Sequence, residues 1–167
     1  MLISDFMNKK IFFILIALAA SLILFGCTQS GGSSNAFKSV DNSICTVDGK
    51  PIVRMFSTNT CPHCKWVGPT YDEVVKKYAD ENKIVAYHWE WIITDPSVPG
   101  DDLLTPAFEG VVPESEKNVF GQFSEQSAVP AFVFGCKYYR IGNEFEKQND
   151  LAAEKAEFER IIQELLK

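Results

Sequence analysis

The sequence predicts an α/β domain with elements in the order β-α-β-α-β-β-α. Three observations carry that expectation. Short β-branched and aromatic runs alternate with stretches whose apolar residues recur at helical spacing. Turn residues punctuate the boundaries between them. Over 167 residues, 46% hydrophobic and 13% aromatic content is enough to close one core, while 23% charged residues argue against wholesale disorder.

The chain opens on a leader. Lys9 and Lys10 precede an apolar stretch from Ile11 to Phe25, interrupted only by Ser21. That stretch is shorter than the ~20 residues a spanning helix needs and suits the core of a signal peptide. The lysines hold its start in the cytoplasm and send the rest across. Leu24-Phe25-Gly26-Cys27, followed by a polar Gly/Ser-rich run, resembles the lipobox of prokaryotic lipoproteins. The resemblance implies a signal peptide over residues 1–26, lipidation at Cys27 and a flexible tether over 27–37. An uncleaved signal anchor is the alternative. Both expectations place the domain, residues 38–167, outside the cytoplasm on a prokaryotic cell envelope, and Met7 is a second plausible start. Removing residues 1–26 takes away Lys9, Lys10 and Asp5 and leaves 14 basic and 21 acidic residues. So acidic a domain lacks the positive surface that nucleic acid requires, and no nucleic-acid partner is expected.

The domain's elements follow in order. Ile52 to Ser57 is a strand after the turn Asp48-Gly49-Lys50-Pro51. Val67, Tyr71, Val74, Val75 and Tyr78 form one helical stripe, with Lys76, Lys77 and Asp80 opposite. Ile84 to Trp91 reads as a second strand. From Ile92 to Val112 an acidic, proline-bearing loop is expected, either shaping partner choice or serving as solvated decoration. A weaker helix covers Glu114 to Phe123. Ala131 to Phe134 and Lys137 to Ile141 form a hairpin turning at Gly135. Leu151, Phe158, Ile161, Ile162, Leu165 and Leu166 give the last helix its apolar face.

The chemistry concentrates in Cys61-Pro62-His63-Cys64, where the first strand hands over to the first helix. A thiol there faces unpaired N–H groups and the positive end of the helix dipole, which favour the thiolate that attacks disulfides. Two intervening residues let Cys64 reach back from one turn along. Cys61 is therefore expected to be the exposed nucleophile and Cys64 the buried resolving thiol. Zinc is the competing use of a C-x-x-C, but a closed site needs two further ligands at matching spacing. A plain structural staple is the third reading, disfavoured by so tight a ring at a helix start.

At these residues the chain resembles the thioredoxin superfamily, from about Ile52 to the C-terminus. Cys61-Pro62-His63-Cys64-Lys65 with Pro69 looks like that family's active-site helix, and Val129-Pro130 stands where the family carries a cis-proline beside its disulfide. The Pro62-His63 dipeptide is similar to that of periplasmic disulfide oxidases. The resemblance implies a thioredoxin-like fold, a central mixed sheet flanked by helices, with Cys61, Pro62, His63, Cys64 and Pro130 as site residues. His63 would favour the thiolate and make the protein more oxidising. One departure stands out. The family often buries an acid six positions before its first cysteine, to relay protons to the resolving thiol, and here that residue is Met55. His88 or Glu90 on the next strand could substitute, although an ordinary surface role is expected for both, with proton transfer through water then sufficing.

With Cys27 lipidated and Cys61/Cys64 active, Cys45 and Cys136 remain. A structural Cys45–Cys136 disulfide is expected in an oxidising compartment, with two independent buried thiols as the alternative. The expectation for function is a membrane-anchored, monomeric thiol–disulfide oxidoreductase acting on protein thiols and disulfides. It would exchange with an extracytoplasmic redox partner, with no cofactor and no metal. The rivals are a reductase running in the opposite direction and a non-catalytic metal-delivery module using Cys61, His63 and Cys64.

Overall fold

A computed structural model describes residues 36–91 and 99–167. The leader, Cys27 and most of the tether lie outside the described residues. Among those described, seven strands and three helices form a mixed α/β domain. The strands are β1 (Lys38–Ser39), β2 (Thr46–Val47), β3 (Lys50–Thr58), β4 (Val85–Trp91), β5 (Gly100–Asp102), β6 (Ala131–Phe134) and β7 (Tyr138–Ile141). The helices are α1 (Pro62–Asp80), α2 (Glu114–Phe123) and α3 (Leu151–Leu165), with a 3-10 turn at Glu146–Gln148.

The sheet runs β1-β7-β6-β3-β4-β5, with β2 attached to β3. Its centre, β3, pairs parallel with β4 and antiparallel with β6. Being central, β3 has hardly any exposed side chain, which is why Ile52, Val53, Met55 and Phe56 are apolar on both faces and the one charge among them, Arg54, is paired. Successive side chains still point to opposite faces. Val53, Met55, Phe132 and Phe134 meet Val67, Tyr71 and Val75 of α1 and Phe158, Ile161 and Ile162 of α3 on one face. Phe56, Trp89, Ala131 and Val133 meet Phe123 of α2 on the other. Tyr71, Phe132, Phe134 and Phe158 form one aromatic cluster with centroids 5.0–6.2 Å apart.

The structure corrects the sequence reading in three places. Phe37, assigned to the tether, is buried against Phe134 (centroids 4.9 Å apart) and Phe158, so ordered packing begins inside the expected linker. The segment after β4 is not all loop, because Gly100–Asp102 adds an antiparallel strand to β4. Gly100 is required there, since any β-carbon would collide with Val112. Finally, His88 is buried in the sheet rather than placed on the surface.

Cys45 and Cys136 are joined by a disulfide, with Cα atoms 5.5 Å apart across 91 positions of sequence. It fastens the segment before β2 to the β6–β7 turn, where the Cys45 amide also donates to the Gly135 carbonyl (2.9 Å). Arg54 lies behind it. The guanidinium donates to Cys45 Sγ (3.4 Å) and forms a bidentate pair with Glu116 of α2 (2.6 and 3.0 Å), to which the Trp89 indole N–H also donates. Disulfide, guanidinium and carboxylate thus tie α2 to the sheet through the middle of β3. Both charges of the pair are nearly dry and hydrogen bonded, so loss of either partner would leave the other stranded.

Candidate active site at the start of helix α1

Chain direction brings the two cysteines together at the C-terminal end of β3. The strand ends at Thr58, whose carbonyl accepts the Cys61 amide (3.1 Å), and the tight turn opens directly into α1. Cys61 is the N-cap, extended at φ −78° and ψ 113°. Its sulfur accepts the Cys64 amide (3.1 Å), taking the place of the usual capping oxygen on an otherwise unpaired helix N–H. Pro62 fits the first helical position because it has no N–H to lose there. Pro69, further in, removes one helix bond that the Lys65 carbonyl would otherwise accept.

Cys61 and Cys64 carry free thiols in unlike surroundings. Cys61 is half-exposed, and its sulfur lies 3.9 Å from the Val129 carbonyl. The Val129–Pro130 peptide bond is cis, and Pro130 is buried directly before β6. Cys64 is 4% exposed. Burial first, and then the hydrogen bond to Cys61, push its thiol up to about 12, against the pull of the Thr58 amide. One sulfur therefore meets solvent while the other is held as a thiol beneath it.

His63 is exposed, and its Nδ1–H donates to the carboxylate of Glu146 (2.8 and 2.9 Å). Glu146 stands on the 3-10 turn before α3. The Asn143 amide first, and the His63 contact after it, hold its carboxyl below the usual carboxylate range. Asn143 also donates to the His63 carbonyl (3.0 Å), and the Trp66 indole donates to Asn149 (3.0 Å). The 143–149 segment thus clasps the first turn of α1. It is held in turn by Glu154, fully buried in α3, which accepts the Glu144 and Phe145 amides and the Arg140 guanidinium (2.6 Å). Sequence reasoning missed Glu146, Asn143 and Glu154, because the turn and the helix that carry them lie 80 or more positions from His63.

Cys61, His63 and Cys64 do not converge as metal ligands. Among the described residues, no group of three or more His, Cys, Asp or Glu side chains is placed to hold a metal ion. Among the same residues, no helix is long and apolar enough to cross a membrane.

Behind Cys64 lies a cavity of about 240 Å³ between α1 and β4, lined by Ser57, Gly68, Asp72, His88 and Glu90 among others. His88, expected at the surface, is 3% exposed here. Its Nδ1 meets Asp72 Oδ1 at 2.7 Å and its Nε2 meets Ser57 Oγ at 3.0 Å. Glu90 is only half-buried beside it. Neither Ser57 nor Asp72 was singled out from sequence. One signal for Asp72 was available: Cys64, Gly68 and Asp72 recur every four residues and share one face of α1.

No family model and no characterised protein matches this sequence.

Proposed function

We propose that the protein is a thiol–disulfide oxidoreductase with a thioredoxin-like fold, exchanging disulfides with protein substrates through Cys61 and Cys64. The observation that carries this reading is the asymmetry of the pair at one helix start. Cys61 caps the helix and reaches solvent, while Cys64 lies one turn in, buried and protonated. Disulfide exchange needs that division, an accessible thiolate to form a mixed disulfide and a neighbouring thiol to resolve it. The β-α-β lead-in, the antiparallel hairpin β6–β7 and the cis Val129–Pro130 bond beside Cys61 support the fold assignment.

In this reading the Cys61 thiolate attacks a partner disulfide, one partner sulfur leaves, and Cys61 is joined to the other. Cys64 then attacks Cys61, the Cys61–Cys64 bond forms, and the second partner sulfur departs. Two electrons and two protons pass from the pair to the partner, and the reverse sequence oxidises a dithiol. His63 sets the charge beside Cys61, with Glu146 fixing the ring. Residues 1–26 act as a lipoprotein signal and Cys27 as the lipid anchor, so exchange occurs outside the cytoplasm. The Cys45–Cys136 disulfide supports such a compartment.

The test is trapping from an extracytoplasmic extract. Cys64→Ala is expected to accumulate covalent adducts that reductant releases, and Cys61→Ser to form none. Equal behaviour of the two variants, or no adduct with Cys64→Ala, would overturn the reading.

A further inference from the structure

We propose that Asp72, His88 and Ser57 form a proton relay that takes the proton from the Cys64 thiol as it attacks, and returns it when Cys64 leaves. The inference deepens the disulfide-exchange reading and rests on it. It answers a difficulty set by the site itself. Burial raises the Cys64 thiol and leaves little thiolate at neutral pH, so a base inside the protein would speed the resolving step.

The geometry supplies one. His88 lies in β4 with both ring nitrogens engaged, Nδ1 on Asp72 and Nε2 on Ser57. The carboxylate accepts only from an N–H, so it selects the tautomer protonated on Nδ1 and leaves the Nε2 lone pair to accept from the Ser57 hydroxyl. The Ser57 hydroxyl also has the Trp89 carbonyl at 3.4 Å, but the imidazole nitrogen is nearer at 3.0 Å, and Ser57 lines the cavity that Cys64 also lines. The Thr58 amide, next after Ser57 in β3, is the backbone group that favours the Cys64 thiolate, and Ser57 and Cys64 line the same cavity. As the Cys64 S–H passes its proton through water in the cavity to Ser57 Oγ, Ser57 passes its own to Nε2. The imidazolium that forms faces Asp72. The freed thiolate attacks the Cys61 sulfur of the mixed disulfide, the Cys61–Cys64 bond forms, and the partner leaves as a thiolate. In the reverse direction the imidazolium returns the proton to Cys64 as that bond breaks.

Gly68 keeps the path open, because a β-carbon there would sit 3.3 Å from His88 Cε1. The same order of groups activates serine nucleophiles elsewhere. Here Ser57 is 1% exposed, so no acyl group reaches its oxygen, and Cys64 shares the cavity that it lines. The other ionisable groups around His88 are accounted for. Tyr71 of α1 meets the ring edge-on at 5.7 Å and gives its own proton to the Tyr87 carbonyl. Asp102 of β5 accepts the His88 backbone amide, and burial pushes its carboxyl upward. Lys65 and Glu90 line the cavity from α1 and β4. Glu90 is the rival base, and its charge opposes a thiolate at Cys64.

The experiment is a single turnover of the reduced full-length protein with glutathione disulfide in detergent. Acid quenching and intact mass separate formation of the glutathione adduct on Cys61 from its resolution by Cys64. His88→Gln and Asp72→Asn, which preserve volume, are expected to form the adduct within about twofold of wild type. Resolution at pH 7 is expected to slow by about a hundredfold. In both variants its rate should climb about tenfold per pH unit as hydroxide replaces the relay, closing on the flatter wild-type profile at alkaline pH. Glu90→Gln should resolve at least as fast as wild type. Unchanged resolution rates and pH slopes in both His88→Gln and Asp72→Asn would overturn the relay, as would a comparable loss confined to Glu90→Gln. If the wild-type protein forms no adduct on Cys61, the disulfide-exchange reading falls and the relay falls with it.

Discussion

Removing the Cys45–Cys136 disulfide should cost this domain an unusually large share of its stability. The bond closes a loop across 91 positions, enclosing β2, β3, α1, β4, β5, α2 and β6. By the chain-entropy relation a loop of that length restricts the unfolded chain by about 4.6 kcal/mol at 25 °C. Changing both cysteines to alanine leaves the backbone demand of the turn untouched, since residue 136 sits at φ 54° and alanine bears the same β-carbon. It also strips two sulfurs from the Arg54 guanidinium, which keeps its bidentate carboxylate. The expected loss is therefore about 3–5 kcal/mol, or about 10–20 °C in Tm. The assay is urea unfolding followed by tryptophan fluorescence, with Cys61 and Cys64 replaced by serine in both proteins so that one disulfide differs. The m value should rise, because the unfolded variant exposes more surface. A loss under about 1 kcal/mol at unchanged m would refute the loop argument.

Other outcomes follow from individual contacts. Glu154→Ala should cost about 3–5 kcal/mol in the same assay, because it strands the buried Arg140 guanidinium and frees two loop amides. Glu146 has a folded carboxyl below its unfolded value, so its contribution is fully present above the ordinary carboxylate range and lost as pH falls through the lowered value. Amide exchange over residues 143–149 should accordingly quicken on acidification, and Glu146→Gln should remove that acid dependence. Gly68→Ala should fail to deliver the ~1 kcal/mol that alanine offers inside a helix, since the ring it approaches is pinned by two hydrogen bonds. Calorimetry of the variant measures the outcome directly.

The long elements were legible because their patterns are strong. Ile52 to Ser57 and Ala131 to Phe134 are mainly apolar strands that the structure buries in the middle of the sheet. The α1 stripe and Phe158, Ile161, Ile162 and Leu165 of α3 turn inward at the spacing the sequence shows, whereas Leu151 and Leu166 of the expected face are exposed. The strands β1, β2 and β5 were not legible. At two or three residues each, they exist through pairing with a longer neighbour rather than through a period of their own. The cysteine pair could be read because its chemistry is local, two thiols at one helix start. The groups around it could not. His88 was assigned to the surface because the sequence does not place it beside Cys64, and what buries it is Gly68 and Asp72 on α1 together with Ser57 on β3. The clasp on His63 depends likewise on Glu146, Asn143 and the Glu154 carboxylate, which no spacing links to Cys61.

The central claim is that Cys61 and Cys64 are a reversible redox couple while Cys45 and Cys136 are a fixed one. Equilibrating the full-length protein across a series of reduced-to-oxidised glutathione ratios, then alkylating under acid quench and mapping the modified cysteines by mass, tests it most directly. The account predicts a single reversible transition in which Cys61 and Cys64 together lose two hydrogens, with Cys45 and Cys136 unmodified throughout. Cys61 and Cys64 alkylated at every ratio, or a transition carried by Cys45 and Cys136 instead, would contradict it.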